Sequence, residues 1–181
     1  YLLFIVIVEY FGNYFNQRGL YHHTRDMFNY IQIPLDFLYL TWLVSRITGL
    51  KFRLWCIQGL IFLFVWFAEQ FILPPHQYYF LSLSISTGGL LLLILLIYYF
   101  IQLSGSDAII YFYRQLSFWV LLGLLIYYVG SIPFYGMFNY LVRNARPVHF
   151  MYTKIVYILS IGMYILFIIG LLWPKRNSES F

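Results

Sequence analysis

Hydrophobic and polar positions do not alternate along this chain; apolar residues gather into long runs separated by short polar breaks. Six runs can be marked, at approximately 1–15, 27–48, 52–73, 77–101, 115–141 and 149–173. Most reach the roughly 20 residues that cross about 30 Å of hydrocarbon as a helix. A spanning barrel strand needs only about 10 residues and keeps a steady in/out alternation, which these runs lack. The pattern therefore predicts an all-α, polytopic transmembrane helix bundle, with residues 1–181 forming one helical domain. The first run, "YLLFIVIVEYFGNYF", is short for a span and does not begin with Met, so its beginning is expected to be missing. Another span ahead of it would bring the total to seven. With no basic n-region and no cleavage site visible, it does not read as a signal peptide.

Composition sharpens this picture. Of 181 residues 62% are hydrophobic, 24% aromatic and 9% charged, with mean hydropathy +0.78, which is outside the range of a soluble domain. The formal charge of +5 does not mark a nucleic-acid binder, because Lys and Arg sit where apolar runs stop. Cys56, the single cysteine, has no internal disulfide partner and reads as a small apolar residue in a span. Tyr and Trp near run ends, such as Tyr39, Trp42, Trp55, Tyr78, Tyr79 and Trp173, suit the membrane interface. Ser82, Ser86 and Gly89, with Ser84 and Gly88 on a neighbouring face, give the small-residue spacing that lets helices approach closely.

Basic residues also suggest an orientation. Side A receives the connections near 16–26, 74–76 and 142–148, with Arg18, Arg25, Arg143, Arg146 and the nearby Lys154. Side B receives those near 46–53 and 102–114 and the C-terminal tail, with Arg46, Lys51, Arg53, Arg114, Lys175 and Arg176. The clusters "RITGLKFR" and "WPKR" tip side B, and with it the C-terminus, towards the cytoplasm. The expected location is a bacterial inner membrane, with the basic side B rim available to another membrane or cytoplasmic protein.

Carboxylates inside spans carry the sharpest chemical signal, since a charge at a helix centre costs about 2.5–3.5 kcal/mol on insertion scales. Glu9, Asp36 and Glu69 are the candidates, and all three fall towards side A. If the second helix extends back far enough, His22, Arg25, Asn29, Gln32 and Asp36 share one stripe at spacings of three or four. Glu9, Asn13 and Gln17 form a second stripe, and Gln58 and Glu69 face one way on the third helix. Pointed at one another, these faces would enclose a polar pocket built from Glu9, Asn13, Arg25, Asn29, Gln32, Asp36 and Glu69, closed by His76 and the Arg143/Arg146 loop. Three uses stay open: internal pairing that holds the bundle together, a ligand or ion pocket, and a metal site. For the last, His22, His76 and His149 are weak candidates, because adjacent His22 and His23 lack the spacing that places two ligands on one face. Pro34 and Pro133 each remove a backbone hydrogen bond within a span and predict kinks or local unwinding.

No enzyme pattern emerges. The last run's lysine, Lys154, lies near its start rather than deep within it, as retinal attachment would need, and the histidines sit at run ends rather than facing each other as a bis-His haem requires. There is no GxSxG, HExxH or phosphate-binding glycine loop. No cofactor is expected. The stretches "FNYIQIPLDFLYLTW" and "LSFWVLLGLLIYYVGSIPF" resemble an uncharacterised family of small bacterial multi-helix membrane proteins. The resemblance implies about seven helices, an acidic residue after the proline as at Asp36, and no assigned activity. The expected function is a non-enzymatic receptor-like sensor or accessory subunit of a membrane complex, its polar pocket in the non-cytoplasmic leaflet. The alternative is a small transporter or channel that passes a cation or proton along the carboxylates.

Overall fold

A computed structural model describes residues 2–72, 81–105 and 115–172, and the regular structure among them is helical throughout. Helix α1 (Leu2–Gln17) turns through Arg18–Leu20 into α2 (Tyr21–Met27), which continues without a break into a π-helical turn (Phe28–Gln32) and α3 (Ile33–Ile47). Then follow α4 (Phe52–Phe71), α5 (Ser82–Ser104), α6 (Leu116–Asn144) and α7 (Arg146–Leu172). Helices α4 to α7 are each long and apolar enough to cross a membrane. The chain is thus a helical bundle with the dimensions and composition of a membrane-embedded protein. The C-termini of α1 and α3 are closed by glycines at positive φ, Gly19 at 73° and Gly49 at 67°. The amides of Leu20 and Leu50 reach back to the carbonyls of Phe15 and Ser45.

The second predicted helix begins earlier than expected, at Tyr21 instead of residue 27, and it is not uniformly α. Pro34 explains the irregularity. It offers no N–H, and its ring would press on the carbonyl one turn back. The turn just before it opens instead, so that the Ile33 amide bonds to the Phe28 carbonyl, five residues away. The Asn29 carbonyl would next be met by residue 34, which has no N–H to give; the Trp66 indole of α4 donates to it at 3.0 Å. A proline, a widened turn and a tryptophan on the next helix therefore form one local solution to one missing donor. Pro133 has a milder outcome: α6 continues through it unbroken from Leu116 to Asn144. The fourth predicted run starts at 77, whereas α5 begins at Ser82; residues 73–80, including His76, Tyr78 and Tyr79, lie outside the described residues.

The packed centre lies between α3, α4, α5 and α6. Phe37, Val44, Phe62, Leu92, Leu96, Leu121 and Tyr128 are buried there. The small residues of α5 permit this: a Cβ on Gly88 would stand 2.6 Å from the Phe37 ring, and one on Gly89 would stand 2.9 Å from Ile132. Helix α7 lies against α6 along its length, and close approach again depends on glycine, with Gly130 under Leu159 and Gly170 under Trp119. Little of α7 is otherwise covered, and only Val156 and Gly170 are buried on it.

Candidate functional site

Two groups of polar residues stand out in the side A half among the described residues. In the first, Glu69 near the end of α4 meets the start of α5, where unpaired amides and the positive end of the helix dipole favour an anion. Its carboxylate accepts from the amides of Leu83 at 3.0 Å and Ser84 at 2.7 Å, and from the Ser84 hydroxyl at 2.6 Å. Two residues before Ser84, the Ser82 hydroxyl accepts from the Asn139 amide of α6 at 2.8 Å. Glu69 is 4% exposed and Ser84 fully buried. This cluster ties α4, α5 and α6 together with its hydrogen-bonding capacity engaged.

The second group lines a cavity of about 1060 Å³ between α3, α6 and α7, with Ile5 of α1 at its edge. Helix α3 contributes Gln32, Asp36, Tyr39, Leu40 and Leu43. Measured from the side B ends of their helices at 1.5 Å per residue, Asp36 and Tyr127 both stand about 16 Å deep and Ser160 about 18 Å, close to mid-membrane. The hydroxyls of Tyr127 and Tyr135 lie 3.2 Å apart at this wall. Towards side A the lining is mixed, with Gln32, Phe134, Phe138, His149 and Thr153. Towards side B it is almost wholly apolar, with Leu40, Leu43, Leu116, Val120, Leu124, Met163, Phe167 and Leu171. Tyr157 and Tyr164 on α7 line the cavity and are also exposed, so it opens sideways into the bilayer.

Two lining groups have unmet hydrogen-bonding capacity. Gln32 Oε1 and His149 Nε2 are buried and have no hydrogen-bond partner among the described residues. The His149 ring packs on Phe134, Phe138 and Phe150 at centroid distances of 5.6, 5.0 and 5.9 Å. Unpaired polar atoms in a buried site favour a ligand or water that can reach them.

The seven residues expected to share one pocket are thus distributed. Gln32 and Asp36 line the cavity; Glu69 serves the α5 N-terminus. Asn29 is buried in the widened turn, its carbonyl held by Trp66. Arg25 is paired with its neighbour Asp26 at 3.0 Å, and both are half-exposed. Asn13 is exposed on α1; Glu9 belongs to the same helix, and its side chain lies outside the described residues. The stripe from His22 to Asp36 does not survive as one face, because the extra residue in the π turn rotates the remainder of the helix by about 100°. Thr24, rather than His22 or Arg25, turns inward there, donating to the Gly12 carbonyl at 3.3 Å, while His22 is exposed.

Among the described residues no group of three or more His, Cys, Asp or Glu could hold a metal ion, and His149 sits among aromatic rings. Of the basic side B rim, Arg46 lies over the Trp42 ring at 5.8 Å, and Lys51 and Arg53 are exposed; Arg114, Lys175 and Arg176 lie outside the described residues. Apart from His149, singled out as a weak metal candidate, the cavity residues of α6 and α7 were missed in the sequence. A signal was there: His149, Thr153, Tyr157, Ser160 and Tyr164 recur at spacings of four, four, three and four along one face of α7. No family model, curated protein or solved structure matches the chain.

Proposed function

We propose that this is a non-enzymatic, receptor-like membrane protein that binds a small molecule between α3, α6 and α7 and passes the effect to a partner at its basic side B rim. The observation that carries this reading is the cavity of about 1060 Å³, mixed in its lining towards side A and almost wholly apolar towards side B, at the upper end of the size of small-molecule sites. Buried polar atoms at Gln32 and His149 with no hydrogen-bond partner among the described residues give a bound molecule something to satisfy. A bacterial inner membrane with side B in the cytoplasm belongs to the same proposal. A carboxylate relay for a cation or proton is the weaker alternative, because Glu69 is engaged at the α5 N-terminus and the side B half of the cavity is apolar.

An uncharged amphiphile, dodecanol, tests the site with the full chain in maltoside micelles. Dodecanol should raise the melting temperature of the wild type, and Ser160→Trp, which fills the middle of the cavity, should remove that rise. Equal responses of the two proteins, or no response in either, would overturn the binding reading. Partner capture is checked by copurification in mild detergent of wild type and of Lys51→Glu/Arg53→Glu. A partner retained equally by both would remove the rim from the proposal.

A further inference from the structure

Resting on the binding reading above, the geometry points to a cationic amphiphile, an alkyl chain with an ammonium head, as the class of molecule this cavity takes. The charge of the lining is the first reason. Among the described residues Asp36 is its one carboxylate and no Lys or Arg lines it, so an anionic head such as a phosphate or carboxylate would meet an acid and none of the described Lys or Arg side chains. The second reason is the aromatic wall. Tyr39, Tyr127 and Tyr128 border the cavity around the depth of Asp36, with Tyr135 about two turns further towards side A, and aromatic faces in a dry site favour ammonium groups over equally large neutral ones. Gln32 Oε1 adds a buried acceptor on the side A half, which suits N–H donors.

The tail follows from the shape. Below Asp36 the lining on α6 and α7 turns to Leu116, Val120, Leu124, Met163, Phe167 and Leu171. From Met163 to Leu171 this apolar stretch runs about 12 Å along α7 at 1.5 Å per residue. The lateral opening past Tyr157 and Tyr164 lets a molecule enter from the bilayer with its tail already in hydrocarbon. In the bound state the head stands at mid-depth beside Asp36 and the tyrosines, and the tail points to side B. A cation at that depth is otherwise costly, so the site is selective for it by supplying what the membrane interior does not.

The test is a head-group series with one tail, on the full chain in maltoside micelles: dodecyltrimethylammonium, dodecylammonium, dodecanol and dodecanoate, each followed by the shift in melting temperature with concentration. The ammonium heads should act at about tenfold lower concentration than dodecanol, and dodecanoate should be weakest. In Asp36→Asn the ammonium advantage should vanish while the dodecanol response stays. If dodecanol matches the ammonium compounds in the wild type, the charge assignment is overturned and the binding site stands. If no compound shifts the wild type, both readings fall together. Should Asp36→Asn not fold, the wild-type series and Tyr127→Leu, expected to weaken the ammonium compounds more than dodecanol, decide the matter; equal weakening counts against the aromatic contribution and overturns the proposal.

Discussion

Glu69 and Asp36 are both acids in apolar helices, yet they sit in opposite environments. Around Glu69 the acceptors and donors of three helices close on one another within 3.0 Å, and the region is dense. Around Asp36 the neighbouring helices stand apart, and the wall carries aromatic rings and a buried Gln32 oxygen with nothing described to bond it. The difference comes from what faces each acid. Glu69 meets a helix N-terminus, which brings its own unpaired amides, whereas Asp36 stands in the first turn of α3, which continues the π turn without a break and so presents no open helix N-terminus. An acid in a span is thus a lock where a helix begins and a site where helices part.

The largest effect should come from breaking the lock. Glu69→Leu strands the Leu83 and Ser84 amides in the interior and should cost about 3 kcal/mol of stability, measured by unfolding in mixed micelles. Asp36→Asn should change stability by less than about 1 kcal/mol, since hydrogen bonds in membrane interiors are individually modest. Comparable losses for the two variants would erase the distinction between them. Next in size is the packing contrast. Gly88→Ala drives a methyl group into the Phe37 ring and should destabilise by about 1–3 kcal/mol. Gly162→Ala, where nothing stands within 4 Å, should be neutral or stabilising by up to about 1 kcal/mol.

Much of the architecture was legible in the apolar runs, because a helix that must satisfy its own backbone in hydrocarbon leaves an unmistakable length. The small residues at Ser82, Ser86 and Gly89 announced close packing, and Gly89 lies against Ile132 as that spacing implies. What stayed hidden had a single physical root in each case. Periodicity arguments assume 3.6 residues per turn, and one extra residue before Pro34 separates His22 and Arg25 from Asp36. Glu69 and Asp36 look alike in sequence because the partner that distinguishes them, the first turn of α5, is far along the chain. The α7 stripe was readable but weak, since Thr, Ser and Tyr in a span also serve packing and the membrane interface.

A smaller test addresses the widened turn. Trp66→Phe keeps the ring and removes the donor to the Asn29 carbonyl, for a cost of about 1 kcal/mol. Faster amide exchange confined to residues 28–34 is expected, with dodecanol binding retained. Loss of binding would mean that the turn sets the position of Gln32 and Asp36, and would join the two regions that the packing keeps apart.

The smallest effect belongs to Arg25. Helical spacing places it on the stripe with Gln32 and Asp36, but its guanidinium bonds to Asp26 at the surface, with the two side chains 38% and 46% exposed. Such a pair is worth less than about 1 kcal/mol and is screened by salt. Asp26→Ala should therefore leave stability nearly unchanged, remove what little salt dependence the pair contributes, and leave the ammonium preference of the cavity intact. The sensitive outcome is the last. An Arg25 freed of Asp26 that swung towards Asp36 would neutralise the acid, and the cation preference would fall without any loss of fold. A preserved preference would mean that the π turn, by rotating Arg25 away, keeps that guanidinium out of the cavity that Asp36 lines.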